Sequence, residues 1–450
     1  MTTNIKDIVA RLDRDLLERH GVDTALFGEL ADLQRASGIL HGSRPISPFL
    51  RPYFLERTRY DAIRRAARIL SLAFESVTAA ALKSDALMTE LGVSEKEARW
   101  ARLEPRYAGV SVNSRLDTFL TADGFAFLEY NAENPAGIGD QPSLERLFRA
   151  VPAVNEFLSA NDHHFPQPHV RLLDVLVSAY RDFGGKKAKP NIGIVDWAGV
   201  STAPEFGILK EYFEKSGHTA RICDPNELEY RDSHLTAAGF EIDVFFKRVI
   251  IHEFLDKFDE THPLYLACQD GAVCMANSFR SKIPHKKAGF AVLTDGRYES
   301  MFTNEQLAVI REHVPWTRTV SDESTTYNGK TIELLEFIRA TRERFVLKPN
   351  DDYGGKGISF GWESSEREWD DAIGHALDSH HLVQERVGVE KTDIPLISEG
   401  EARMASLTVD FDPFLFRGEV EGGMVRLAPG SLVNISSGGG ETALAILEGY

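Results

Sequence analysis

Arg115-Leu-Asp117-Thr-Phe-Leu-Thr-Ala-Asp-Gly-Phe-Ala-Phe-Leu-Glu129-Tyr-Asn131 is the stretch on which the reading of the whole chain turns. Thr118 to Leu128 reads as strand, Asp-Gly turn and strand, since apolar runs flank a turn-forming pair. Such a hairpin sets Asp117 near the start of one strand and Glu129 and Asn131 near the end of its partner. Residues two apart on a strand point to the same face, so Glu129 and Asn131 project together. Two carboxylates and an amide oxygen on one face form a hard-oxygen site suited to Mg²⁺. Arg115 adds a fixed cation beside Asp117, and magnesium with an arginine alongside points to nucleotide phosphates. Charged residues at hairpin ends are also common on plain surfaces, so the rest of the chain decides between the two.

At 450 residues the chain exceeds one ordinary core, and two or three domains are expected. With 43% hydrophobic and 26% charged residues it has a globular composition. The net charge of −17 argues against a surface that tracks nucleic-acid phosphates, although a local basic cleft for a triphosphate remains compatible with it. No apolar run of about 18 residues marks a membrane helix. Met-Thr-Thr-Asn-Ile-Lys-Asp lacks the basic-then-apolar pattern of a signal peptide. Cys223, Cys268 and Cys274 form no CxxC pair and are odd in number, which predicts free thiols and a cytoplasmic setting.

Four parts are expected along the chain. Residues 1–100 read as helical: Leu12, Leu16 and Leu17 share a face before Gly21, and Ile63, Ala66, Ala67, Leu70, Phe74 and Val77 keep the same period. Between these helices the Pro-rich segment Gly42 to Pro52 carries Arg44 and Arg51, which are within reach of a ligand in one reading and are expected first as residues of a surface loop. Residues 101–165 hold the hairpin and the loop Asn134-Pro-Ala-Gly-Ile-Gly139. Residues 166–275 change character: Asn191 to Trp197, Thr219 to Cys223 and Ile242 to Phe246 read as strands, with a helix from Pro204 to Ser216, implying a small parallel α/β layer. No GxGxxG follows the first of these strands, so a dinucleotide fingerprint is missing. Trp197, Ser201 and Glu205 fall where ligands commonly bind such layers. Residues 276–450 mix strands and helices again, with Met404 to Phe416 and Gly423 to Asn434 expected as an antiparallel pair.

This last part carries further chemistry. Phe345-Val-Leu-Lys348 is an apolar strand ending in a lysine, an awkward core residue unless it meets an anion. Gly354-Gly355-Lys356-Gly357 sets three glycines around a lysine, letting backbone amides approach an anion, although the spacing is not that of a Walker A loop. Gln384-Glu385 ends another strand and offers an edge suited to an adenine. Arg426 precedes Asn434-Ile-Ser-Ser-Gly-Gly-Gly440, a second candidate anion loop. Each of these alone reads equally as a turn or a strand edge.

Taken in order, Lys348-Pro349, Gly354 to Gly357, Gln384-Glu385, Arg426-Leu-Ala and Asn434 to Gly439 resemble the ATP-grasp fold. Asp117 with Glu129-Tyr-Asn-Ala-Glu-Asn-Pro135 resembles the metal-binding segment of glutathionylspermidine synthetase and its relatives. Here the metal segment precedes the nucleotide lysines by more than two hundred residues. That inversion is similar to the circularly permuted ATP-grasp group, and the resemblance covers roughly residues 105–440. It implies an α/β fold with α+β elements, in which a helical N-terminal region and a small pre-ATP-grasp-like domain accompany the permuted core.

The same resemblance implies ATP and Mg²⁺ as cofactors. Asp117, Glu129 and Asn131 would hold magnesium, and Arg115 would stabilise the transferring phosphoryl group. Lys348 would contact the α- and β-phosphates, with Gly354, Gly355, Lys356 and Gly357 closing over them. Gln384 and Glu385 would frame the adenine, and Arg426 and Asn434 would border the triphosphate. An earlier lysine is expected too, Lys287 first and Lys282 next, with Lys286 also a candidate. The implied activity joins a small-molecule or peptide carboxylate to an amine through an acyl phosphate, with no nucleic acid or membrane partner. No segment resembles the hydrolase part or the peptide- and polyamine-binding regions of glutathionylspermidine synthetase, so its substrates are not carried over. A nucleotide-binding scaffold and a phosphotransferase stay open as alternatives. His285, His380 and His381 read as structural.

Overall fold

The computed structural model describes residues 5–352, 354–433, 435 and 439–449. Helices dominate the first hundred residues, as the periodicity predicts. Ile5–His20 buries Leu12 and Leu16, and Thr24–Ser37 begins where the Asp23 carboxylate accepts the Leu26 N–H and stops at Gly38, whose φ of 70° terminates the turn. The 25-residue helix Arg57–Ala81 buries the predicted stripe from Ile63 to Val77. Its Phe74 ring lies 4.7 Å from Tyr130 on the hairpin, and the Tyr60 hydroxyl accepts the Gly422 N–H at 2.7 Å. The helices and the central sheet therefore share one core.

The Pro-rich connection corrects one expectation. Arg51 is buried rather than on a surface loop, with its Nε 2.5 Å from Asp13 and its Nη2 donating to the Asp393 carbonyl. A guanidinium placed there satisfies carbonyls and a carboxylate that the fold would otherwise bury unpaired. Arg44 does stay near the surface and donates to the Ile435 carbonyl at 2.6 Å.

The central sheet is antiparallel. Its strands run in the order Gly440–Thr442, Glu419–Ala428, Glu401–Phe416, Asn113–Thr121 and Gly124–Asn131. Lys391–Ser398 pairs with the first half of the long strand Glu401–Phe416, whose second half pairs with Asn113–Thr121. The predicted hairpin forms, with Thr121 opposite Gly124, so the turn is Ala122-Asp123 and the glycine opens the second strand. The expected C-terminal pair forms as well, but its second strand ends at Ala428.

A parallel sheet orders Cys274–Ala276, Val244–Lys247, Ile192–Val195 and Ala220–Cys223. These strands read as continuous apolar runs because helices cover both faces. Pro168–Asp182 and Ala203–Lys215 pack on one side, and Ile251–Lys257 and Pro263–Asp270 on the other. A third sheet, Thr317–Thr319, His381–Glu385, Phe345–Pro349 and Ser359–Phe360, is antiparallel and carries its own core around Phe345, Trp369 and Ile373. No described helix is long and apolar enough to cross a membrane.

Candidate nucleotide and metal site

The hairpin register pairs Arg115 with Asn131 and Asp117 with Glu129, which brings all four side chains to one face. A bulge follows Asp117, and the Thr118 N–H released from the ladder donates to Asp412 Oδ1 at 3.2 Å. Asp117 Oδ1 accepts from Arg115 Nε at 3.0 Å and from Asn131 Nδ2 at 2.8 Å. Its Oδ2 accepts from Arg426 Nη2 at 3.1 Å. Burial alone would raise this carboxyl, but Arg115 and Arg426 outweigh burial and hold Asp117 at about 2.

The neighbouring strand supplies two carboxylates that the sequence reading missed. Asp410 and Asp412 are two apart on Glu401–Phe416 and both buried. Arg426 lies opposite Asp410 in register and donates to Asp410 at 2.5 Å and Asp412 at 2.7 Å. Arg115 Nε is 3.5 Å from Asp412. Burial pushes both Asp410 and Asp412 up, and the crowding by Asp117 adds to it. Three carboxylates against two guanidiniums leave one uncompensated negative charge, which a proton or a cation must satisfy. Oxygens of Asp117, Asp410 and Asp412 lie within 4.8 Å of one another, and Asp410 Oδ1 is buried without a hydrogen-bond partner among the described residues. The residues present therefore fit a divalent cation bound through oxygen. The expected set of Asp117, Glu129 and Asn131 is adjacent, but the Asp117 carboxylate clusters with Asp410 and Asp412, and Glu129 turns toward Lys287. Arg426, expected beside the triphosphate, is engaged by three aspartates.

Two lysines from far along the chain reach the same face. Lys287 Nζ is 3.1 Å from Glu129 Oε1 and donates to the Asp352 carbonyl at 2.7 Å. Lys348 donates to Gln384 Oε1 at 2.7 Å, because Val346 pairs with Gln384 and Lys348 follows two residues on, along the same face. Burial lowers Lys348 to about 8, helped by Lys287 and opposed by Glu129, Asp117 and Asp410. Gln384 is buried and donates to Thr317 Oγ1. Glu385 points the other way, to Arg344 at 2.8 Å and the Tyr327 hydroxyl at 2.6 Å. Strand alternation separates the two residues that the sequence reading had grouped.

Lys282 and Lys286 serve a different cluster. Lys282 is wholly buried, 2.9 Å from Glu133 and 2.6 Å from Asp351, and Lys286 pairs with Glu97 and Asp351 at 3.0 and 2.6 Å. Burial opposes the charged form of Lys282, but Glu133, Asp351 and Glu97 raise its pKa overall. Of the three candidate lysines, Lys287 alone contacts the hairpin carboxylates. The network ties the Glu95–Ala101 helix to the segment beyond the hairpin and to the loop after Lys348.

Gly354, Gly355 and Gly357 have φ of 69°, 77° and 69°, a left-handed run open only to glycine at low cost. Gly354 and Lys356 line a cavity of about 640 Å³ that also meets Arg115, Asn131 and Arg426. The cavity extends over the C-terminal ends of the parallel strands, where Ser201 and Glu205 line it. Trp197 lies outside the lining; its ring stacks on Phe254 and Phe258 with Lys257 Nζ 3.6 Å from the ring centre. Asn434 lies outside the described residues.

The chain resembles solved structures in fold. A glutathione synthetase-like effector from Globodera pallida superposes with a TM-score of 0.61 over 94% of this chain and 96% of that one, at 14% identity. A putative gamma-glutamylcysteine synthetase from Methylobacillus flagellatus covers 87% of this chain and 89% of its own at 10% identity, with a TM-score of 0.44. D-alanyl-alanine synthetase A from Vibrio cholerae covers 50% and 68% at 10% identity, with a TM-score of 0.27. Of these three, only the first is near enough in shape to bear on the fold, which is α/β. No protein-family profile and no curated protein matches the chain.

Proposed function

We propose that this protein is an ATP- and Mg²⁺-dependent ligase that joins a carboxylate to an amine through an acyl phosphate, on a circularly permuted ATP-grasp core. One observation carries the proposal. Glu129 of the hairpin pairs with Lys287, and Lys348 feels Glu129, Asp117 and Asp410, so elements far apart in the chain form one electrostatic unit. Cations and hard oxygens on one face are what a metal–triphosphate complex requires. The permuted order is supported by the sheet itself, where the hairpin pairs with the C-terminal strand Glu401–Phe416. The four-part division of the sequence is kept in this reading, with its first two parts sharing a core.

In this reading Asp117, Glu129 and Asn131 supply oxygen ligands, with Asp410 and Asp412 behind them. Magnesium, when bound, neutralises phosphate oxygens. Lys287 and Lys348 face the phosphates, Arg115 orients Asp117 and offsets charge on the transferring group, and the Gly354 to Gly357 loop with Lys356 covers the site. Gln384 fixes Lys348 and borders the adenine, Glu385 contributes through its backbone, and Arg426 holds the three aspartates together. Lys282 acts through the loop bearing Asp351 rather than on the nucleotide. The substrate carboxylate attacks the terminal phosphorus and expels ADP, giving an acyl phosphate; the amine, in its neutral form, then attacks the acyl carbon and expels phosphate, and its remaining extra proton passes to solvent.

Incubation with ATP, Mg²⁺ and mixed amino acids or small peptides tests the reading. ADP, free phosphate and a new amide in equal amounts support it. ADP with a stable phosphorylated product and no amide contradicts it and selects a phosphotransferase.

A further inference from the structure

The cavity beside the aspartates has an acidic end formed by Glu441, Asp140 and Glu205, from three separate elements. Glu441 sits on the edge strand Gly440–Thr442, is 2% exposed, and leaves Oε2 buried without a hydrogen-bond partner among the described residues. Asp140 stands at the start of helix Gln141–Arg149 yet makes no side-chain capping bond to it. Glu205, on helix Ala203–Lys215, accepts from the Gly139 N–H at 3.3 Å and lies 3.4 Å from Arg248 Nη2.

The nearby cations are already engaged. Arg248 answers Glu205 and donates to the Pro135 carbonyl, while Arg115 and Arg426 answer Asp117, Asp410 and Asp412. Lys356 reaches the same cavity from the glycine loop. Asp140 and Glu441 are thus two carboxylates at a cavity wall whose neighbouring guanidiniums are spent on other acids. Their oxygens and those of Glu205 are not among the groups that close to 4.8 Å, as Asp117, Asp410 and Asp412 do. Such spacing suits an ammonium group with three divergent N–H donors better than one small metal ion.

We propose that Glu441, Asp140 and Glu205 form a subsite for the ammonium group of the acceptor amine, an inference that rests on the ligase reading above. Protonation behaviour agrees with it. Burial, and then the charge of Glu205, pushes Asp140 up to about 8. Burial, and then the charge of Asp140, pushes Glu441 well above the usual carboxylate range, with Arg426 and Arg115 opposing. Both shifts favour the protonated acids in the absence of a nearby cation, so an ammonium group entering the subsite favours release of their protons. Ammonium affinity must then rise with pH up to about 8, opposite to the behaviour of an anion site.

The test is calorimetric titration of the full chain with propylammonium chloride at pH 6, 7 and 8, in two buffers of different ionisation enthalpy, with sodium propionate as control. The expected result is millimolar binding that tightens about fifty-fold from pH 6 to 8 with proton release, and no binding of propionate. Glu441→Gln and Asp140→Asn, each checked for an unchanged circular dichroism spectrum, weaken it about tenfold or more. Asp140 is only half-buried, so its substitution keeps the test usable should Glu441→Gln fail to fold. No propylammonium binding by the wild type, equal binding of propionate, or a folded variant with unchanged affinity overturns the subsite. ATP–Mg²⁺ binding measured on the same samples separates the two ideas. Nucleotide binding without ammonium binding removes the subsite alone, and ammonium binding without nucleotide binding removes the ligase reading alone.

Discussion

Replacing Arg426 by methionine should be the most damaging single change at the site. The substitution keeps a long side chain but leaves Asp117 and Asp412 with Arg115 alone, and removes the guanidinium that pairs with Asp410. Asp410 and Asp412 are 4% and 0% exposed, so water cannot take over the lost hydrogen bonds. Removing one partner of a buried ion pair costs about 3–5 kcal/mol, which lowers the thermal midpoint by roughly 6–20 °C, toward the smaller shift for a chain this long. The variant should regain part of that loss in two ways. Millimolar Mg²⁺ should raise its midpoint more than that of the wild type, because the remaining carboxylates gain a cation. Adding Asp412→Asn should also restore stability, giving a double-mutant coupling of about 1–3 kcal/mol. Scanning calorimetry of the four proteins, with and without Mg²⁺, measures both effects. A midpoint for Arg426→Met within about 1 °C of the wild type, or strictly additive losses in the double mutant, would refute the charge balance drawn here.

Three further outcomes follow from the same geometry. Lys348 sits near 8, so its ammonium is mostly charged at pH 7 and mostly neutral at pH 9; ATP affinity should fall about tenfold per unit above pH 8, and Lys348→Ala should abolish that slope. On stability the sign is reversed. The depressed folded pKa makes charged Lys348 a cost below about 8, so it alone gives stability that rises from pH 8 toward the unfolded value of 10.5. Lys282→Met should destabilise by about 3–5 kcal/mol, because Glu133 and Asp351 lose their shared cation, while Lys287→Met should cost less, because its partner Glu129 keeps some solvent access, yet weaken ATP binding more. Equal losses of ATP affinity in the two variants, at equal stability, would erase the distinction between these lysines.

Local signals account for what was legible in the sequence. The Asp-Gly pair between apolar runs gave the hairpin, and its register placed Arg115, Asp117, Glu129 and Asn131 together. Ile192 to Val195 and Val244 to Phe246 read as buried strands because both faces are covered, so their apolar runs are unbroken. Asp410 and Asp412 were missed because Asp-Phe-Asp alternation on a strand is the ordinary pattern of a half-exposed sheet. Only the neighbouring strands, with Arg115 and Arg426, turn that face inward. Arg51 was misread for the same reason, since its partners Asp13 and Asp393 are remote or lie on another layer. Lys282, Lys286 and Lys287 share a cationic run, and which of them meets Glu129 depends on a tight turn that periodicity does not encode.

The central claim is that the hairpin oxygens and the downstream lysines form one ATP–Mg²⁺ site. Calorimetric titration of ATP into wild type and Glu129→Gln, each with and without Mg²⁺, addresses it most directly. Micromolar binding by the wild type that needs Mg²⁺, and loss of that Mg²⁺ dependence in a folded Glu129→Gln, is the predicted result. Absence of ATP binding by the wild type, or an unchanged Mg²⁺ dependence in the variant, would contradict the account.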